Sequence, residues 1–227
     1  MRFLVKEQRY EKQIAAGQFR YELDGEPTGA VETWRLNKAM DGYEILRVDL
    51  DAREAESGHS YVYHLVRQAN GHPERLAYRF WGDCESVGHL EIEGTLLFEE
   101  QSILGTRSVN GVTYAEDMDI KRGIGFWFPS TIGLGLAANM KSGTAVTLNS
   151  IISGRETLAL QQIDMQVTPV VDDLVDIEIA GKTIKATSWQ LTWNNHTRFV
   201  MRDEHGWPVH MQREDQLTAV ETLNIWY

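Results

Sequence analysis

The stretch Ser188-Trp189-Gln190-Leu191-Thr192-Trp193-Asn194-Asn195 decides the fold class of this chain, because it contains a complete strand and the turn that follows it. Large side chains alternate with polar ones at a period of two, which is the pattern of a strand with one buried face. The Asn194-Asn195 pair tolerates the positive φ that a tight turn needs. Two further extended segments, 197–203 and 208–213, are separated by Glu204-His205-Gly206. The C-terminal region therefore predicts a β-meander of three consecutive antiparallel strands.

The same alternation predicts paired strands through most of the remaining chain. Residues 19–23, 30–36 and 43–50 alternate in the same way, with turns at Asp24-Gly25 and Asp41-Gly42 between them. Continuing to the C-terminus, we expect about fourteen strands. A sheet of that length does not stay flat, so it should curl. The fold class is therefore all-β: a single domain over residues 1–227 in which a large antiparallel meander forms a half-open or closed barrel.

Two segments predict helices. Residues 7–16 are polar and indicate a short N-terminal helix. Apolar residues also recur every four positions after Ser130, at Ile132, Leu136 and Met140. This spacing predicts a helix over about 130–141, capped by Ser130 or Thr131 and ended by Gly143. Because the second helix is apolar nearly all round, it should be buried inside the curled sheet. Its glycines favour close packing on the sheet over a dinucleotide-binding turn, since the flanking strands are antiparallel.

The hairpin formed by residues 60–67 and 75–81, around Asn70-Gly71, predicts a specific register. If pairing is symmetric about the turn, one face carries an aromatic ladder and the other carries an imidazole and two guanidinium groups. The expected pairs on the first face are Tyr63 with Tyr78, Tyr61 with Phe80, and Leu65 with Leu76. The expected pairs on the second face are His64 with Ala77, Val62 with Arg79, and Val66 with Arg75.

Aromatic side chains at alternate positions suggest a ligand cavity. Tyr61, Tyr78, Phe80, Trp127, Trp189 and Trp193 should point, with Tyr63, to one side of the curled sheet. Phenol and indole groups around a cavity suit a small apolar or aromatic molecule held between the sheet and the helix. Binding of such a molecule is the leading hypothesis for function. The alternative for the same residues is a fully packed interior, in which case the chain is a structural protein.

A third hypothesis makes His64 a catalytic base. Between Val62 and Val66 the imidazole should be partly desolvated, and nearby arginines should lower its pKa further. A neutral histidine beside fixed positive charge can abstract a proton from an acidic carbon or phenol. The chain would then be a cofactor-independent lyase or isomerase, with Tyr63 or Arg79 stabilising the developing anion. A structural histidine flanked by surface arginines is the competing interpretation.

Charge and composition narrow the partners. The formal net charge of −11 disfavours phosphate backbones and anionic membrane surfaces, so we expect no nucleic acid partner. The single cysteine, Cys84, cannot form an intrachain disulfide, and no histidine lies in a metal-binding motif. We therefore expect neither a metal nor a cofactor. The most apolar region, 123–138, is shorter than the roughly 18 residues that span a bilayer. The N-terminus has no secretory apolar run, which predicts a cytoplasmic protein.

The C-terminal half resembles a known group of proteins. Its elements are the small-residue helix 129–140, the step Lys141-Ser142-Gly143-Thr144 into a strand, a hairpin beginning at 174–179, and the closing segment 199–209 with its acidic, glycine and proline turn. Over roughly residues 117–227 this order is similar to that of the bacterial DUF3108-like proteins, which are uncharacterised. The resemblance implies a curled antiparallel sheet around a helix and provides no catalytic residues. Such proteins are usually exported, whereas this chain has no signal.

Overall fold

The computed structural model describes residues 8–56, 58–84, 87–150, 152, 154–179 and 181–226. This part of the chain contains sixteen strands, the helix α1 (Thr131–Ala137) and a 3-10 turn at Gly154–Glu156. The strands are β1 (Glu11–Leu23), β2 (Glu26–Ala39), β3 (Glu44–Asp51), β4 (Ser60–Arg67), β5 (Pro73–Cys84), β6 (Gly88–Phe98), β7 (Ser102–Val109), β8 (Val112–Ala115), β9 (Met118–Asp119), β10 (Gly125–Phe126), β11 (Gly143–Leu148), β12 (Leu160–Ile179), β13 (Lys182–Trp193), β14 (His196–Asp203), β15 (Pro208–Arg213) and β16 (Leu217–Trp226).

All the strands belong to one curled sheet. Its order is β10-β11-β12-β13-β14-β15-β16-β1-β2-β3-β4-β5-β6-β7-β8, and β9 pairs with β7. Neighbouring strands are antiparallel except for the short parallel pair of β10 and β11. Two meanders are thus joined by the first and last strands, with Tyr21 opposite Ala219. Because the sheet ends at two different strands, β10 and β8, it is half-open. The predicted all-β class and the curled antiparallel meander are confirmed.

The turns that punctuate the sequence form the hairpins expected of them. Asp24 and Gly25 both have positive φ, 53° and 84°, as do Asn110 and Gly111, at 48° and 84°. Two central residues with positive φ match the right-handed twist of the flanking strands. The predicted register of the 60–81 hairpin is also confirmed, including Tyr63 opposite Tyr78.

Helix α1 is buried as predicted, but it is shorter than predicted. The Ser130 hydroxyl accepts a hydrogen bond from the Gly133 amide at 2.8 Å, which caps the helix. At its other end, Asn139 and Met140 donate to carbonyls three residues back, so the chain tightens into turns after Ala137. A Cβ at Gly133 would lie 1.9 Å from the Phe128 carbonyl oxygen. The helix therefore packs as closely as its glycines allow.

The predicted N-terminal helix is wrong over its described part. Residues 11–16 lie in β1, and residue 7 lies outside the described residues. Ala15 is paired on both sides, with Leu36 of β2 and Trp226 of β16. These ladders satisfy the backbone more completely than a short surface helix, whose propensity they override. Two segments predicted as separate strands, 157–167 and 174–179, are one continuous strand, β12, with a register shift after Pro169.

Candidate functional site

Most of the aromatic side chains predicted to line a cavity are packed against each other. Tyr63, Tyr78, Phe80, Trp127 and Trp193 are all at most 5% exposed. The ring centroids of Tyr63 and Phe128 are 4.5 Å apart, and those of Trp127 and Trp193 are 5.0 Å apart. Residues from the segment before α1 thus fill the space in front of the β4–β5 ladder. The structure brings these aromatic residues to one side, as predicted, and forms a core from them.

Trp189 and Tyr61 are the two partly buried members of the predicted set. The guanidinium of Arg202 lies 4.6 Å from the Trp189 ring centroid, and Arg202 also donates to the side chain of Asn139 just after α1. The Tyr61 hydroxyl donates to Glu32 at 2.8 Å. Both side chains therefore hold the helix in place through polar contacts.

Glu32 is a buried charged residue that the sequence analysis did not single out. It is 0% exposed, on the inner face of β2. Its Oε2 atom accepts hydrogen bonds from the hydroxyls of Tyr21 and Tyr61, at 2.7 and 2.8 Å, and from the Thr131 amide at 3.1 Å. Its Oε1 atom accepts from the Ile132 amide at 3.0 Å. The carboxylate thereby satisfies the first amides of α1 and anchors the helix to β1, β2 and β4.

The environment of Glu32 affects how it titrates. Burial raises its pKa, and the hydrogen bonds from Tyr21 and the helix amides oppose that effect without cancelling it. The Tyr21 hydroxyl is also 2.8 Å from the Thr131 hydroxyl. A signal for this network was present in the sequence, since Glu32 has the same alternation as Trp34 and Leu36. A carboxylate at an inward position needs buried donors.

His64 lies on the face of β4 opposite to Tyr63. It pairs with Arg47 of β3 on one side and Ala77 of β5 on the other. Burial, together with the positive charges of Arg47 and Arg75, lowers its pKa to about 4. Among the described residues, its buried Nε2 atom has no hydrogen-bond partner. The imidazole is therefore neutral at physiological pH, as the sequence predicted.

The three predicted catalytic residues do not come together. Tyr63 points into the core, on the other side of the sheet from His64. Arg79 shares the face of His64, but it forms an ion pair with Glu91 at the surface. The guanidinium across from His64 belongs instead to Arg47, which forms an ion pair of 2.7 Å with Glu11. Sequence reasoning missed Arg47 because it comes from the preceding strand.

The two ends of the half-open sheet meet through side chains. We call this region the seam; it consists of residues 102–119 facing residues 154–160. The Arg107 guanidinium donates to Glu116 Oε1 at 2.8 Å and to the carbonyls of Arg155 and Thr157. Glu116 Oε2 accepts from the Leu160 amide at 2.7 Å. These contacts take the place of a strand ladder and hold the half-barrel in its curled shape.

Tyr78 adds a further bond to the seam. Its ring crosses the place where Gly94 has no side chain, and a Cβ there would lie 2.3 Å from the ring. Its hydroxyl donates to the Leu158 carbonyl at 3.2 Å. Tyr78 thus uses its polar atom within the fold.

A pocket of about 400 Å³ opens at the seam. The residues around it are Arg107, Tyr114, Ala115, Glu116, Asp117, Met118, Arg155, Glu156, Ala159 and Leu160. The Arg107 guanidinium lies 5.3 Å from the Tyr114 ring centroid. This pocket, which we call the seam pocket, combines a phenol ring and aliphatic side chains with charged groups. It shares no residue with the predicted aromatic set.

Other kinds of site receive no support from the geometry. Within the described residues, no three His, Cys, Asp or Glu side chains are grouped as metal ligands. In the same part of the chain, no helix has the length and apolar character needed to cross a membrane.

Comparison with known proteins identifies the fold. No protein-family model matches the chain, and no curated protein is similar to it in sequence. Among solved structures, it is similar to a beta-barrel-like protein of the domain of unknown function DUF1849 from Brucella abortus. The TM-score is 0.56 at 10% identity, over 95% of this chain and 98% of that one. The match supports a barrel-like β fold, while the DUF3108-like resemblance stays a prediction.

Proposed function

We propose that this chain is a binding module that holds a small apolar or aromatic molecule in the seam pocket. The observation that carries the proposal is the pocket of about 400 Å³ bordered by Tyr114, Met118 and Leu160. Sites for small molecules are concave, mostly between 300 and 1,000 Å³, and combine apolar surface with a few polar groups. The seam pocket meets each of these conditions.

A well-ordered floor supports the proposal. Arg107 and Glu116 are 3% and 7% exposed and are bound to each other and to the backbone of residues 155–160. Such a floor loses little side-chain freedom when a ligand binds, so less of the interaction energy is spent on ordering.

The seam pocket is a better candidate than the aromatic set around Tyr63. The rings of that set already contact each other, and the hydroxyls of Tyr61 and Tyr78 are bound to Glu32 and to the Leu158 carbonyl. Binding among those rings requires the core to open. Binding at the seam does not.

The proposal is tested by nuclear magnetic resonance on the full chain with labelled methionine methyl groups, titrated with 2-phenylethanol. The Met118 methyl should shift and saturate, while the methyl of the buried Met211 stays in place. Tyr114→Ala should weaken binding by about tenfold, since a stacked ring is worth about 1 kcal/mol. Tyr10→Ala is the control, because Tyr10 is an exposed tyrosine outside the pocket. A folded protein whose Met118 signal does not respond contradicts the proposal.

Catalysis by His64 is a second candidate. The favouring observation is a neutral imidazole with a buried, unpartnered Nε2 atom opposite Arg47. The anion stabiliser would be Arg47, replacing the predicted Tyr63 or Arg79. A base with a pKa of about 4 abstracts only comparatively acidic protons. Deuterium exchange into 1,3-dicarbonyl compounds should be accelerated by the protein and lost in His64→Gln, but not in His72→Gln on the β4–β5 turn. Equal exchange in all three proteins removes this candidate.

A further inference from the structure

We propose that the seam pocket selects a cationic ligand: a small aromatic or apolar body that carries one ammonium group. This inference rests on the proposed function and adds the chemical class of the ligand. It depends on the balance of charge around the pocket, on the bonds that its two arginines already make, and on the aromatic ring at its side.

The charges around the pocket favour a cation. Its lining includes two cationic side chains, Arg107 and Arg155, and three anionic ones, Glu116, Asp117 and Glu156. The sum of these formal charges, two positive and three negative, is −1. The chain as a whole carries −11. A ligand with a carboxylate or phosphate would enter a negative local field within a negative protein, whereas an ammonium ion would be attracted.

Neither arginine is well placed to bind an anion. Arg107 donates through Nε to Glu116 and through Nη1 to two backbone carbonyls. Arg155 donates through Nε to Glu156 at 3.0 Å. A bound anion would have to compete with carboxylates that are already in place. The paired arginines and glutamates largely cancel, so the exposed carboxylate of Asp117 determines the sign of the pocket.

The ring of Tyr114 provides a second attraction for a cation. Its face is negative because of the quadrupole of the π system, and it already has the Arg107 guanidinium at 5.3 Å. An ammonium group near Asp117 can also contact this ring. The aliphatic side chains of Met118 and Leu160 are left to cover the apolar body.

Three probes of the same shape test the inference: 2-phenylethylamine, 2-phenylethanol and phenylacetate, which carry charges of about +1, 0 and −1 at pH 7. The Kd of each is measured from the Met118 methyl shift in the full chain. We expect the amine to bind about fivefold more tightly than the alcohol and the carboxylate to bind more weakly than the alcohol, because a partly exposed charge pair contributes about 1 kcal/mol. Raising the salt to about 0.5 M should narrow these ratios.

Variants assign the effect to one residue. Asp117→Asn should reduce the ratio between the alcohol and amine dissociation constants to about two or less. Asp119→Asn keeps that ratio, since Asp119 is a neighbouring aspartate outside the lining. If no probe shifts Met118, the proposed function itself fails. If the alcohol binds at Met118 but the amine binds no more tightly, the proposed function stands and the selection of a cation is overturned.

Discussion

Replacing Glu32 with alanine should destabilise the fold strongly, because this carboxylate joins three strands to α1. The substitution removes the acceptor of four hydrogen bonds, from Tyr21, Tyr61, Thr131 and Ile132. The Tyr21 hydroxyl keeps the Thr131 hydroxyl as a partner, at 2.8 Å. The Tyr61 hydroxyl and the two amides lose the acceptor that Glu32 provided.

The magnitude follows from those lost bonds. A buried donor left without an acceptor costs about 1–3 kcal/mol, and neighbouring losses are not additive. We therefore expect the free energy of unfolding to fall by about 3–5 kcal/mol in Glu32→Ala. Urea unfolding followed by tryptophan fluorescence measures this change. Hydrogen exchange at the Thr131 and Ile132 amides should accelerate in the same variant.

The control is Glu26→Ala, which removes an exposed glutamate from the same strand and should change stability by about 0.5 kcal/mol or less. Glu32→Gln keeps one acceptor and separates shape from charge. Burial raises the folded pKa of Glu32, so the native state holds a proton more tightly than the unfolded state. Wild type should therefore gain stability relative to Glu32→Gln as the pH falls towards 4.5. If Glu32→Ala unfolds within about 1 kcal/mol of wild type, the network does not hold the helix.

Three further predictions concern other parts of the fold. The folded pKa of His64 is lowered from 6.5 to about 4, so its contribution is present above pH 6.5 and is lost as the pH falls towards 4. His64→Gln should reduce that loss by about 2 kcal/mol, measured by urea unfolding at pH 7.5 and 4.5. Gly133→Ala should lower the thermal midpoint although alanine favours helices, because its Cβ would meet the Phe128 carbonyl at 1.9 Å. Arg107→Met should cost about 3–5 kcal/mol and speed hydrogen exchange at the Leu160 amide, since Glu116 loses its buried partner. Unchanged exchange at Leu160 would contradict the role of Arg107 in the seam.

Local patterns predicted the parts of the fold that depend on neighbours in sequence. The hairpin of β4 and β5 is an example, because its turn and its two-residue period determine which residues are opposite each other. Residues 11–16 show the limit of such patterns. Their composition favours a helix in isolation, and only the pairing of Ala15 with Trp226, far along the chain, makes them a strand.

The site could be predicted only in part, for a related reason. Alternation correctly indicated that Tyr63 and Trp193 point inwards. It could not indicate whether the interior is empty, because Trp127 and Phe128, which come from a different segment, fill that space. The seam pocket lies between segments about fifty residues apart, as the bonds from Arg107 to Thr157 show. Its shape is a property of the closed arrangement rather than of any one strand.

The pairing of β1 with β16 has a consequence for biosynthesis. As the chain emerges from the ribosome, each later strand finds its partner within a few residues, but β1 has a vacant edge until the residues opposite it, 217–226, have been made. Closing that loop costs about 5 kcal/mol of chain entropy, because the cost grows with the logarithm of loop length. Until then Phe19 and Tyr21 belong to a sheet edge that aggregation can extend. Nascent chains that end before β16 should therefore depend on chaperones more than the complete protein does.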